Sequence, residues 1–343
     1  MSSKKTSKPP RKISANLAQV ADAAGVSKMT VSRILRDSGG FSEETREKVM
    51  REIDRLGYVP NRLAATFGSE ASSTLVGVCV PRVTSRLYGE VLESIDRTLF
   101  RFGYQTLIGT NEELPDVEEK WLRGLLSWRP AGVILSGRNH SSGTLELLKA
   151  SSTPVVEIWD LNTSPLDVSV GFNHFDCGYE MGHFLIGRGR RHVGYVGTQP
   201  TTTTMGSTRF AGFQKALSAA GHPLVAKELL HDRSSFYAGY YGTENLLSRE
   251  NNLDGIYYQD DEMAIGGLFF CNSRGIDVPG QLAIAGWGGM EAASILPQRL
   301  TTTMVSTHGV GKQAAEVLVA RLRDEPCKEV VVVPTRLVPG ATA

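Results

Sequence analysis

The sequence predicts a small all-α helix-turn-helix head joined to an α/β body of two similar, doubly wound parallel-sheet lobes. Three observations carry this reading. The chain has 343 residues, enough for two or three domains of about 150 residues each. Residues 14–59 contain three short segments with apolar residues at helical spacing and glycines at their ends. From residue 75 onward, short β-rich apolar runs alternate with segments long enough for crossover helices, in two successive series.

Composition narrows the class. Hydrophobic residues make up 41% of the chain, and no apolar run approaches the ~20 residues a membrane-spanning helix needs. The opening "MSSKKTSKPPRKIS" is basic without an apolar stretch, unlike a secretory signal. Cys79, Cys177, Cys271 and Cys327 show no CxxC spacing and no nearby histidine pair. That argues against a metal site or disulfide framework and suits a reducing cytoplasm. The net charge of +1 hides an asymmetry. Residues 1–66 hold 13 Lys/Arg against 7 Asp/Glu, a net of +6; the remainder holds 24 against 29, a net of −5. A basic head on an acidic body points to a polyanionic partner for the head alone. The alternative is a solubilising tail, since residues 1–12 carry five basic residues and no acid.

In the head, Asn16 or Ser14 can cap a helix through "LAQVADAA", where Leu17, Val20 and Ala21 recur at helical spacing. Gly25 ends it, and Ser27 is placed to cap the next helix, "KMTVSRILR". The turn between them is about three residues long and contains glycine, as a helix-turn-helix requires. A third helix follows Ser42, with Val49, Ile53 and Leu56 on one face and Gly57 as its stop. If the second helix buries Val31, Ile34 and Leu35, it leaves Lys28, Met29, Ser32, Arg33 and Arg36 outward. The N-terminal half of such a helix enters the major groove. There Arg33 can donate twice to guanine O6 and N7, worth roughly 1–3 kcal/mol against a wrong base. Ser27, Thr30 and Ser32 suit phosphate contacts, and Met29 suits a thymine methyl.

The stretch "LAQVADAAGVSKMTVSRILR…FSEETREKVMREIDRLGYVPNRLA" resembles the head of the lactose-repressor family of bacterial transcription factors, nearly continuously from Leu17 to Ala64. The resemblance implies DNA contacts at Leu17, Ser27, Lys28, Met29, Thr30, Ser32, Arg33, Asn61 and Arg62. It also implies a short hinge helix over "NRLAATF" that pairs with its dimer mate in the minor groove. In the family a leucine usually wedges between base pairs there; here aligning on "PNR" puts Phe67 in that place. Packing of Phe67 against the body is the alternative. The expected organisation is a basic disordered tail (1–13), the DNA-binding head (14–59), a hinge helix and linker (60–73) and a body (74–343).

The body strands expected from the sequence are 75–80, 105–110, 132–136, 154–160 and 168–172, then 192–197, 255–259, 282–287 and 330–334. Helix-length separations mean right-handed crossovers and parallel sheets, with "HGVGKQAAEVLVARLRD" (308–324) as a helix of the body or of a dimer face. Ligands of open α/β sheets sit beyond the carboxyl ends of strands, which nominates Asp160, Asp260 and Gly288.

The family resemblance continues to about residue 340. It implies a fold like the periplasmic sugar-binding proteins and a small-molecule effector in the cleft between lobes. Carried over by local match, Tyr88, Asp160, Arg209, Asp260 and Trp287 fall on effector-contacting positions. An arginine fork such as Arg209 can hold a carboxylate or paired hydroxyls; a salt bridge at a helix start is its alternative role. Many sugar-binding members have an acidic residue after the late strand, where this chain has Gly288 and Gly289 in "AGWGGMEAAS". Losing a carboxylate removes repulsion against an anionic ligand. The gluconate-utilisation repressors share the look of "GVSKMTVSRILR", "GYQTLIG", "LLSWRPAGVIL" and "PVVEIWD", which suggests a sugar acid as effector. Arg86, Arg138 and His140 are further candidate donors.

Other signals carry less. "GRGRRHVGYVG" (187–197) lacks GxxxxGK[ST], and its glycines precede a strand, so it is no phosphate loop. "TQPTTTTMG" is a polar loop that could line the cleft. No GxSxG or HExxH is present, and neither an enzyme nor a cofactor is expected. The expectation is a cytoplasmic homodimer, with a tetramer as alternative, that binds a pseudo-palindromic operator and is switched by its effector. The sign of regulation expected is repression. A neutral sugar, a sugar phosphate or a purine as effector, or a solute receptor that binds no DNA, are the competing readings.

Overall fold

The computed structural model describes residues 15–35, 39–59, 73–161, 164–199, 205–231 and 233–343. The expected tail, Arg36, Asn61, Arg62, Phe67 and threonines 201–204 lie outside the described residues. Internal contacts divide the chain into two units, Met1–Ser72 and Ser73–Ala343.

The first unit contains α1 (Leu17–Ala24), α2 (Lys28–Leu35) and α3 (Glu43–Leu56). Asn16 begins α1 with a reciprocal capping box: its side chain accepts from Gln19 N at 3.0 Å, and Gln19 accepts from Asn16 N at 2.9 Å. Gly25 ends the helix in the left-handed conformation (φ 66°), where a side chain would be strained. Ser27 caps α2 by accepting from Thr30 N at 3.0 Å, and Ser42 caps α3 by accepting from Thr45 N at 3.2 Å. Val20, Ala21, Ala24, Val31, Ile34, Val49 and Ile53 form the core, with Leu17, Leu35 and Leu56 packed at its edge. So small a core gains only ~1.5–3 kcal/mol from each large side chain it buries, so the caps matter to its stability.

The second unit has two six-stranded sheets. The chain first lays down β1 (Leu75–Val80), α4 (Arg86–Arg101), β2 (Gln105–Thr110), α5 (Pro115–Leu126), β3 (Gly132–Ser136), α6 (Ser142–Ser151), β4 (Val155–Asp160) and β5 (Val168–Phe172). It then crosses to the second lobe with α7 (His174–Gly187), β6 (Val193–Thr198), α8 (Met205–Ala219), β7 (Ala226–Leu230), α9 (Phe236–Arg249) and β8 (Gly255–Tyr258). That lobe continues through α10 (Asp261–Arg274), β9 (Ala283–Gly288), α11 (Glu291–Ile295) and β10 (Thr301–Val305). The chain returns with α12 (Thr307–Leu322) and β11 (Val330–Val332), and crosses again to β12 (Thr335–Val338).

The sheet orders are β11-β5-β4-β3-β1-β2 and β12-β10-β9-β8-β6-β7. The first is parallel throughout; the second is parallel except for β12, which runs antiparallel to β10. Central strands such as β4 and β5 are buried along their whole length, as expected when helices cover both faces.

Two expectations need correction. The "VVVV" run is a strand, but it pairs with β5 in the first sheet rather than closing the second series. β7, β10 and β12 were not expected. The segment 308–324 forms a body helix as expected: α12 packs on α4, with Val310, Ala314, Ala315 and Leu318 fully buried.

Candidate functional site

On α2 the two ends of the amphipathic pattern separate cleanly. Val31 and Ile34 are buried, while Lys28, Met29 and Arg33 are exposed, Met29 at 64% despite being apolar. Thr30 and Ser32 are half-buried, and Ser27 spends its hydroxyl on the cap and on Thr30 Oγ1 at 2.9 Å. Leu17 is partly buried against the head core. Helix α2 therefore exposes Lys28 and Met29 in its first turn and Arg33 in its last, with no acidic residue in its first turn.

In the body, a cavity of about 670 Å³ opens between the carboxyl ends of the two sheets. Both sheets reverse strand order there, between β1 and β3 and between β6 and β8, which leaves a crevice for a ligand. Tyr88, Asp160, Arg209, Asp260 and Trp287 all line it, from four elements and the N-cap of α10. Gly288, Arg86 and Arg138 line it too.

Arg209 projects from the second turn of α8 and is only 4% exposed. Its Nη2 donates to the Gln259 carbonyl at 2.7 Å, its Nη1 lies 3.0 Å from His174 Nδ1, and its guanidinium stacks 3.8 Å above the Trp287 ring. Among the described residues no carboxylate pairs with it. A salt bridge at a helix start is therefore not its role here.

His174, at the start of α7, explains how the arginine is tolerated. Burial first, and the Arg209 charge second, hold the imidazole well below the usual histidine range, so it is neutral. A guanidinium only donates, so Nδ1 accepts and the proton sits on Nε2. The indole Nε1 atoms of Trp159 and Trp287 are buried without partners. These three N–H groups belong to residues that line the cavity but are themselves buried.

The floor is aromatic. Trp159 packs edge-on against Tyr88 (5.7 Å) and Phe172 (6.0 Å), and Phe172 lies 5.9 Å from Trp287. Trp159 has φ 83°, rare for a bulky residue within a strand, and Gly171 beside it makes this possible. A Cβ on Gly171 would sit 2.3 Å from the Trp159 carbonyl oxygen.

The carboxylates here are mostly engaged. Asp160 Oδ2 lies 3.1 Å from Arg138 Nε. Asp260 caps α10, accepting from Met263 N at 3.0 Å and from the Ser234 hydroxyl, and burial raises its pKa. Asp261 accepts from Thr302 Oγ1 and Met290 N, both at 2.6 Å, and burial pushes it up to about 6. It also stands beside Gly288, so the corner after β9 contains a carboxylate despite its glycines. Arg86 pairs with Glu90. Arg233 of the second lobe reaches Glu112 of the first at 3.4 Å.

His140 does not serve as a cleft donor. It turns inward, 2% exposed, onto Glu118 and Glu157. The sequence reading missed Trp159 and His174, although His174 lies two positions past the end of β5, where strand-end reasoning could have found it. Among the described residues, no three His, Cys, Asp or Glu side chains are grouped to hold a metal, and no helix is long and apolar enough to cross a membrane.

Comparison with known proteins places these features. Residues 16–61 match the model of bacterial regulatory proteins, lacI family, and residues 183–343 match the periplasmic binding protein-like domain. The HTH-type transcriptional regulator GntR of Escherichia coli strain K12 is 36% identical over 310 residues, covering 90% of this chain and 92% of that protein. The regulator IdnR of the same strain is 30% identical over 311 residues, covering 90% and 92%. A crystal structure of a LacI-family transcriptional regulator from Silicibacter pomeroyi matches with a TM-score of 0.90 at 36% identity, covering 96% of this chain and 99% of that one.

Proposed function

Since the chain belongs to the lacI family of bacterial regulatory proteins, and is thereby a DNA-binding transcriptional regulator, we propose that it represses genes for the uptake or breakdown of a sugar acid of the gluconate type. The observation that carries the effector class is Arg209: a buried guanidinium with no carboxylate paired to it among the described residues, on the wall of the cavity. A carboxylate on the ligand supplies the missing charge in a bidentate, charge-assisted contact. The aromatic floor takes the C–H faces of the carbon chain, and Asp160 accepts from hydroxyls.

Regulation follows from linkage. A ligand that prefers one arrangement of the two lobes shifts the protein toward it, by no more than its differential affinity for the two states. If that arrangement holds the heads poorly for DNA, operator affinity falls when the sugar acid binds. Lys28, Met29 and Arg33 read each half-site of a pseudo-palindrome, and the hinge segment with Asn61, Arg62 and Phe67 contacts its centre. The body operates as a homodimer; exposed Tyr237, Tyr241 and Phe269 on α9 and α10 offer apolar surface for pairing. No chemical turnover is required of the cleft.

The test is calorimetric titration of the purified chain with gluconate, glucose and 6-phosphogluconate, for the wild type and Arg209→Ala. Gluconate is expected to bind and glucose not to, and the variant to bind gluconate roughly 10–100-fold more weakly, in line with ~1.5–3 kcal/mol for a hydrogen bond to a charged group. Binding of glucose alone would reject the sugar-acid effector while leaving the regulator intact.

A further inference from the structure

A second constellation of ionisable groups lies just behind the cleft. His140 Nδ1 is 2.6 Å from Glu118 Oε1 of α5, and its Nε2 is 3.6 Å from Glu157 Oε1 of β4. All three side chains are 1–2% exposed. We propose that His140 is a positioning residue for the ligand cleft, holding from beneath the turn at Glu112 and Glu113 and the carboxyl end of β4. The proposal rests on the sugar-acid reading only for its ligand probe.

The connections are specific. Glu118 Oε2 accepts from Asn111 Nδ2 at 3.1 Å, and Asn111 Oδ1 accepts from Glu113 N at 3.1 Å. Glu112 (φ 50°) and Glu113 (φ 65°) both sit in the left-handed region, where side chains other than glycine are strained. The Asn111 side chain is thus part of what fixes a turn that would otherwise relax. That turn carries Glu112, which reaches Arg233 across the mouth of the cavity. On the other side, Glu157 Oε2 accepts from Leu166 N at 2.7 Å, and Glu157 lies two residues before Trp159. Arg138, the partner of Asp160, lies two residues before His140 itself.

Two buried carboxylates need a cation, and among the described residues only His140 reaches either of them. Burial opposes its charge, but hydrogen bonding and attraction from Glu118 and Glu157 outweigh that and lift its pKa to about 9. The groups facing it from each packed element are Glu118 on α5, Glu157 on β4 and, beside Glu118, Cys79 on β1. The Cys79 thiol is pushed far up by burial and then by Glu118, and the Arg138–Asp160 pair lies beyond Glu157.

The test compares wild type with His140→Gln, which keeps a donor but loses the charge. The first readout is hydrogen exchange at the Glu113 amide, corrected for intrinsic pH dependence; it needs no ligand. The second is gluconate affinity by calorimetry from pH 7 to 10. In the wild type, Glu113 protection and gluconate affinity are expected to hold to about pH 8 and fall through about 9. In the variant both drop about tenfold at pH 7 and lose that dependence. A variant that melts earlier yet keeps wild-type Glu113 protection and affinity would make His140 structural only and overturn the proposal. If the variant does not fold, a flat wild-type exchange profile across pH 9 would overturn it too. Failure of the wild type to bind gluconate would count against the sugar-acid reading alone, because the exchange readout stands without it.

Discussion

Arg209 and His140 are both buried cations, and the structure compensates them by opposite means. His140 sits between two glutamates, whereas Arg209 has a carbonyl, a neutral imidazole and an indole face around it. Desolvating a charge without a counter-ion is costly, so the second arrangement is worth keeping where a ligand brings the anion. Trp159 shows a related economy. Its left-handed backbone is tolerated because Gly171 has no Cβ, and Gly171→Ala would force Cβ against a backbone oxygen at 2.3 Å. That variant should lose roughly 1–3 kcal/mol in urea unfolding, the usual cost of overpacking. It should also weaken gluconate binding, since β4 must shift to relieve the clash; unchanged stability and affinity would show that the Trp159 backbone adapts freely.

At the scale of elements, α2 is the clearest case of sequence dictating which face is buried and which is left open. Its helix is closed by Ser27, anchored by Val31 and Ile34, and left open along Lys28, Met29 and Arg33. Replacing Arg33 by Ala should relax selectivity at one base position per half-site and cost ~1–3 kcal/mol on the preferred sequence. Salt-dependent binding to unrelated DNA should persist, because phosphate contacts come from other residues. A competition binding assay over a randomised operator reads both; equal weakening on every sequence would assign Arg33 to the backbone. The strands are less uniform. β7 is an edge strand, only partly buried, and "AKELL" lacks the apolar run that marks a central strand. β10 is buried but threonine-rich, and reads as polar because Thr301 and Thr302 satisfy Gly340 N and Asp261 through their hydroxyls.

For the whole molecule, two histidines set opposite limits on stability. His140 has its pKa raised to about 9, above the usual 6.5. Its contribution is complete below pH 6.5 and is lost as pH rises through 9, because the folded state holds a proton the unfolded chain releases. His174 has its pKa lowered, so its contribution is present above pH 6.5 and is lost as pH falls, when the unfolded chain takes up a proton the folded state refuses. Melting temperature of the body should therefore fall on both sides of about pH 6.5. His140→Gln should flatten the alkaline side and His174→Phe the acid side. A variant pair that leaves both slopes unchanged would place the titration in other groups.

The sequence by itself determined the helical head, its caps and its outward face, because capping and amphipathic period act within a few residues of chain. It also determined most of the body's strands, and put Asp160, Asp260 and Trp287 at strand ends. What it left open was everything set by contacts between distant segments. The sheet that "VVVV" joins depends on the chain crossing lobes a second time, which leaves no local mark. His140 looked equivalent to Arg138 in a polar loop, and only packing against Glu118 and Glu157 turned it inward. His174 meets Arg209 across 35 positions, and that contact exists only because three lobe-crossing segments bring both sheets' carboxyl ends to one cavity.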